Sequence, residues 1–293
     1  MRIVFLFFLA YVSLFAFNVS KVTYSSHQVA NGKTLLLQLE KQDGITYKWV
    51  TLGKQKFIVS TNPLDLNEAY VFIPFSYYAK KENKKLTLEY EEAGDVKHEE
   101  LLVKVVDGKY AKEQIEVAKE KVNPQKKEVK ERIAKEYKEA MDIYAYVSKN
   151  SYVSKPFILP LNSAITSDFG KARVYNGSLK GYHSGTDFRA KTGTPIAAVN
   201  DGRVVLAKNR FYSGGSVVID HGFGVYSCYF HLSDFDVKEG KMVKRGERIG
   251  LSGASGRVTG PHLHFAFRVG GVQVDPLQFI ELFNTKLLKG ERS

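Results

Sequence analysis

From residue 151 onward, glycines cut this chain into short runs of alternating apolar and polar residues: Gly202–Ala207, Gly215–Asp220, Val225–Leu232, Arg248–Ser252 and Leu263–Val269. On an extended chain alternate side chains share a face, so a period of two buries one face of a sheet while the glycines supply the turns. This half shows no long helical period, and we expect short strands joined at the glycines. Residues 19–106 carry similar runs, among them Lys33–Leu39, Thr46–Val50, Ala69–Pro74 and Lys85–Tyr90. Turn signals separate them, such as Gln42 to Gly44 and Ala93 to Asp95. We read this stretch as a small β-sandwich. It holds no catalytic cluster, which leaves it the work of a scaffold, a substrate-positioning module or a lid.

Between the two β regions, Lys109 to about Ser148 is rich in Lys and Glu, and Val129, Ile133, Tyr137, Ala140, Met141 and Tyr144 recur every three or four residues. That is one apolar stripe on a solvated helix, with Pro124 dividing a shorter helix from a longer one. The expected organisation is mainly β with a helical linker: a leader or anchor at 1–18, an accessory β-sandwich-like domain at 19–106, the linker at 107–150 and a C-terminal β domain at 151–293.

Five of the seven histidines lie at or beyond position 183. His183 precedes Asp187 by four residues, with Gly185 and Thr186 between them, and poor helix formers at those places put the pair on an irregular loop. His262 and His264 are two apart, so both face the same way if Gly260–Phe265 is a strand. Two imidazoles and a carboxylate around a divalent ion leave one position open, which separates a catalytic zinc site from a closed structural one. Spacing alone leaves open which of His262 and His264 binds the ion. A lone histidine is usually a satisfied core or surface residue, and we give that reading to His27, His98 and His221, with His221 in a turn between strands. Cys228, the only cysteine, reads as buried packing.

The segment Tyr182–Phe188, followed by Gly193–Ala198, resembles the first signature of the M23 (LytM-type) zinc metallopeptidases. Gly250–Phe265, which contains Gly253, Gly256, Gly260, Pro261, His262 and His264, resembles the second. The strand ending in Tyr229-Phe230-His231-Leu232 falls between them, in the family's order. The resemblance spans roughly residues 155–280. It implies zinc ligands His183, Asp187 and His264, and it makes His231 and His262 the unligated catalytic pair. It further implies an antiparallel β fold with a groove whose floor carries the zinc, and hydrolysis of peptide cross-links in peptidoglycan. Lack of a wall-targeting repeat and presence of an N-terminal β module resemble the Gram-negative members, which points to the D-alanyl to meso-diaminopimelate bond. A regulatory relative that has lost its ligands is the alternative, and retention of all five residues argues against it.

Met1 and Arg2 are followed by the largely apolar run Ile3–Phe17, short for a bilayer span and suited to a secretory signal. We therefore expect export to the periplasm or cell envelope, with membrane attachment only if that segment stays uncleaved. A single cysteine allows no intramolecular disulfide, so core packing and metal must hold the exported fold. The net charge is +12, and the residues from 151 onward contribute 19 Lys and Arg against 11 Asp and Glu. Anionic cell wall suits that charge; nucleic acid does not, since no recognition motif accompanies it. Because an active wall hydrolase endangers its own cell, we expect residues 19–150 partly to cover the groove and to offer the metal a fourth donor.

Overall fold

The computed structural model describes residues 22–63, 65–116, 124–177 and 179–288. The apolar run Ile3–Phe17, and the leader or anchor expected there, lie outside them. Two sheets form the N-terminal unit. One pairs β1 (Val22–Tyr24), β3 (Thr34–Glu40), β7 (Glu68–Pro74) and β6 (Ser60–Thr61) in that order. The other runs β2 (Gln28–Ala30), β9 (Asp95–Val106), β8 (Asn83–Glu92), β4 (Ile45–Leu52) and β5 (Gln55–Ile58). Leu35, Leu37 and Leu39 of β3 and Val71 and Ile73 of β7 share a buried cluster with Val50, Leu86, Leu88, Leu101, Val103 and Val105 of the facing sheet.

The leucine run in β3 departs from strict alternation because both faces of that strand are covered. Leu36, with Tyr70 and Phe72 of β7, points away from the sandwich core and into the core of the C-terminal unit. There Phe72 meets Phe279 at 5.0 Å between ring centroids. Polar contacts flank this aromatic seam. Gln278 accepts from the Thr34 N–H at 2.9 Å and donates back to the Thr34 carbonyl at 3.0 Å. The Asp275 N–H donates to the Gly32 carbonyl at 2.8 Å.

A small third sheet joins β10 (Lys112–Ile115), β12 (Ala172–Tyr175) and β13 (Leu179–Tyr182), with β10 parallel to β12. Here the structure corrects the sequence expectation. The segment from Lys109 is not helical at 112–115, and 117–123, where the shorter helix was placed, lie outside the described residues. Helix formers at these positions give way to an available strand edge, which takes up their backbone hydrogen bonds. Helix α1 covers Lys127–Ala145, but only Ala140 and Tyr144 of its stripe are buried, and Tyr137 is 64% exposed.

The remaining strands form a ten-stranded sheet. Its main path runs β11 (Ile165–Ser167), β14 (Thr186–Arg189), β21 (His262–Val269), β18 (Val225–Phe235), β17 (Gly214–Gly222), β16 (Gly202–Arg210) and β19 (Met242–Val243). The strands β15 (Pro195–Ala197), β20 (Arg248–Ser252) and β22 (Val272–Val274) attach to this path. One face sends Val217, Ile219, Tyr229, Phe265 and Phe267 into the main core, beneath Phe157 and the C-terminal helix α2 (Pro276–Glu281) with the π-helical segment Leu282–Leu287. The other face carries Val218, Tyr226, Cys228 and Ala266, which α1 covers through Ala140 and Tyr144. Covering stops there. Farther along β21, this same face is free to hold polar side chains. Among the described residues no helix is long and apolar enough to cross a membrane.

Candidate active site

Antiparallel pairing assembles the polar end of that face. Asp187 on β14 lies directly opposite His264 on β21, and Arg189 lies opposite His262. Residues two apart share a face, so these two cross-strand pairs form consecutive rungs on one surface. The sequence placed both His183 and Asp187 on a loop; the structure keeps His183 there and puts Asp187 inside β14. The loop is pinned by the His183 N–H donating to the Lys171 carbonyl and the Gly170 N–H donating to the His183 carbonyl, both at 2.8 Å. Gly185 is needed beside it, because a Cβ there would stand 2.4 Å from the Phe265 carbonyl oxygen and 2.6 Å from His264 Nε2.

Three donor atoms converge. His183 Nε2 is 2.9 Å from Asp187 Oδ1 and 3.0 Å from His264 Nδ1, and His264 Nδ1 is 2.8 Å from Asp187 Oδ1. His183 Nδ1 sits 2.8 Å from the Asp168 carbonyl, which assigns the proton to Nδ1 and leaves the Nε2 lone pair turned inward. Bonds of about 2.0–2.2 Å to one tetrahedral ion place donors roughly 3.3 Å apart, so this buried N, N, O triangle suits a zinc-sized ion with little movement. Burial by itself would raise the Asp187 pKa, but hydrogen bonds and charge from His183 and His264 outweigh it and hold the carboxyl well below its usual range. Burial pushes His264 down to about 4 despite its bond to Asp187.

His231 reaches the same surface by a different device. By alternation it should follow Tyr229 into the core. Between the pairs Val217↔Tyr229 and Gly215↔Leu232 the strand β18 carries one residue more than β17, a bulge, and His231 there adopts φ +65°. The flip brings its ring to 4.9 Å from that of His262 and 5.9 Å from that of His264. Its Nδ1 faces the Ser255 carbonyl at 2.8 Å and His262 Nδ1 faces the Gly260 carbonyl at 2.8 Å, which leaves Nε2 of each ring uncommitted to these carbonyls, and His262 Nε2 lies 3.7 Å from Asp187 Oδ1. Burial, then the neighbouring His264 and His262, lower the His231 pKa to about 3.

The cleft beside these groups has a volume of about 440 Å³, bordered by Arg189, His262, Thr259 to Pro261, Arg173 and Glu113 to Glu116. Sequence reasoning missed Arg173, Arg189 and Glu113. Arg189 was findable, lying one strand period after Asp187. Glu113 carried no such signal. Arg173 bridges Glu113, 3.1 Å from Nε, and Asp187 Oδ2, 3.4 Å from Nη2. Residues before 150 therefore border the cleft, but among the described residues the donor group is His183, Asp187 and His264 alone, without the expected fourth donor from that region. His221 is a satisfied core residue, as expected, but it lies within β17 rather than in a turn. It closes β17 in the core, with Nδ1 at 2.7 Å from the Asp201 carbonyl and Nε2 at 2.7 Å from Ser227 Oγ. Cys228 is buried under α1, as expected.

Comparison with known proteins gives this geometry a context. The model of peptidase family M23 matches residues 181–276. The peptidoglycan DD-endopeptidase ShyA of Vibrio cholerae serotype O1 is 45% identical over 115 residues, 39% of this chain and 27% of that protein. The DD-endopeptidase ShyC of the same organism is 38% identical over 151 residues, 50% of this chain and 34% of that protein. The chain thus spans about a third or less of the length of these relatives. A crystal structure described as a candidate peptidase M23 of Pseudomonas aeruginosa superposes with a TM-score of 0.67 at 27% identity, covering 86% of this chain and 94% of that one.

Proposed function

Taking as premise that this chain carries a peptidase family M23 domain at residues 181–276, we propose that it is a zinc metallo-endopeptidase of the cell envelope. Its substrate is a peptide cross-link of peptidoglycan, the D-alanyl to meso-diaminopimelate bond. One observation carries the reading: three buried donors within 3.0 Å of one another, with the rings of His231 and His262 beside them. His183, Asp187 and His264 would hold the zinc. Bound there, it supplies Lewis acidity to water and to the scissile carbonyl. The names of the Vibrio relatives support the choice of substrate.

The remaining steps belong to side chains. A low pKa keeps His231 neutral at physiological pH, so Nε2 has a lone pair for the proton that attacking water must lose. His262 Nε2 lies 3.7 Å from Asp187 Oδ1 with its Nδ1 on the Gly260 carbonyl, so it too can take the proton from water and then deliver that proton to the leaving nitrogen. Either ring suits either task. The regulatory alternative predicts no turnover. Incubating the zinc-loaded chain with purified dimeric muropeptides and identifying products by mass spectrometry decides between them. Monomeric muropeptides are expected, and a dimer left intact by a fully zinc-loaded chain overturns the enzymatic reading. Replacing His264 by Ala should lower zinc content and turnover together. Full zinc in that variant would defeat the ligand assignment.

A further inference from the structure

We propose that Arg189 is a specificity-determining residue that receives a free carboxylate borne on the carbon next to the scissile amide nitrogen. The inference rests on the reading of this site as a cross-link peptidase and deepens it. Arg189 is exposed and lies across from His262, on the rung next to that of the metal donors. At about 3.4 Å per residue its Cα stands about 7 Å from that of Asp187, on the same face. A flexible guanidinium so rooted lines the cleft one rung beyond the metal donors, and we place there the residue that follows the cleaved bond.

Charges around it leave that guanidinium available. Glu113 on the opposite wall is engaged by Arg173. Glu116 is exposed at the rim, and among the described residues Arg189 has no ion pair. The wall formed by Thr259, Gly260 and Pro261 carries no charge. Asp187 is committed to the donor triangle. Among the described residues the cleft therefore presents one uncommitted cation one step beyond the reacting centre, and a planar guanidinium matches a carboxylate by paired hydrogen bonds. In a D-alanyl to meso-diaminopimelate cross-link, the carbon that bears the acylated nitrogen also bears a free carboxylate. In a glycine bridge that carbon bears none. Arg189 would thus select the first bond over the second through a group two bonds from the scissile nitrogen.

The test uses the full zinc-loaded chain and two cross-linked peptides that differ only in whether that carboxylate is free or is a primary amide. Wild type should cleave the free acid with a kcat/KM about ten- to a hundredfold higher, the scale of a charged hydrogen-bonded pair. Arg189→Met should cleave both at the amide's rate, with unchanged zinc content and unfolding midpoint. Arg189→Lys should recover part of the preference, while Arg203→Met, an exposed arginine outside the cleft, should keep all of it. Equal rates for wild type on the two peptides overturn the inference, as does a preference that survives in Arg189→Met. In both of those cases cleavage itself persists, and the peptidase reading stands. Cleavage of neither peptide by wild type defeats both.

Discussion

His231 adopts a left-handed backbone conformation at φ +65°, which costs a non-glycine residue on the order of 1–3 kcal/mol and persists only where its surroundings impose it. They do so here through the His231 N–H to the Ser213 carbonyl and through Ser255, whose Oγ bonds the Leu232 carbonyl and accepts from the Gly215 N–H. Asparagine tolerates this conformation better than most side chains. His231→Asn should therefore hold zinc and fold like wild type yet lose roughly two to four orders of magnitude in muropeptide hydrolysis. Turnover at the wild-type level would remove His231 from the chemistry. His221 makes a different prediction. Burial lowers its pKa from 6.5 to about 4, so the folded state prefers the neutral ring. Its contribution is full above pH 6.5 and is lost as the pH falls through that value toward 4, about 3 kcal/mol in all. Urea unfolding of wild type and His221→Asn across pH 7 to 4 should show a shallower decline in the variant. Parallel curves would deny His221 this role. His262 and His264 were legible as a pair because period two states which side chains share a face, and the family resemblance, not spacing, proposed the ligand set; the flip of His231 was not legible, since a bulge without glycine leaves no mark in composition.

At the scale of elements, the donor triangle depends on β14 and β21 approaching closely behind the His183 loop. Gly185→Ala places a methyl against the Phe265 carbonyl, which is backbone and yields poorly, and against His264 Nε2. This variant should bind zinc more weakly, by about tenfold or more, the range seen when the supports of a metal ligand are disturbed. Competition with a chromophoric chelator measures it, and wild-type affinity would show that the loop adjusts freely. Glycine punctuation made most strands of the C-terminal half readable. The strand Lys112–Ile115 was hidden, because its Lys and Glu residues favour helix locally and only the distant edge of β12 makes it extended.

Across the whole molecule, the seam of Phe72, Phe279, Phe283 and Phe157 makes the sandwich part of the C-terminal unit's core. Phe72→Ala should cost about 3–5 kcal/mol, and the two units should still unfold in one transition monitored by calorimetry. Two separated transitions in the wild type would show that the seam does not couple them. A chain shortened to begin at Ser151 would expose these rings, so its activity would report lost packing as much as an uncovered groove. The run Leu35–Leu37 marked a buried strand in the sequence, but which leucine faces which core follows only from the second unit lying behind it.

The placement of β21 also sets a timetable. A ribosome delivers this chain from its N-terminus at about 5–20 residues per second, and N-terminal units generally fold first. The sandwich strands are complete by Val106, long before β21 brings His262 and His264 and inserts between β14 and β18. Until then His183 and Asp187 lack their third donor, and His231 lacks its neighbour. Thr34 waits longer still for Gln278, 244 residues downstream. The donor set is thus complete only once His264 has emerged, and a fragment that stops before His262 carries His183 and Asp187 without their third donor.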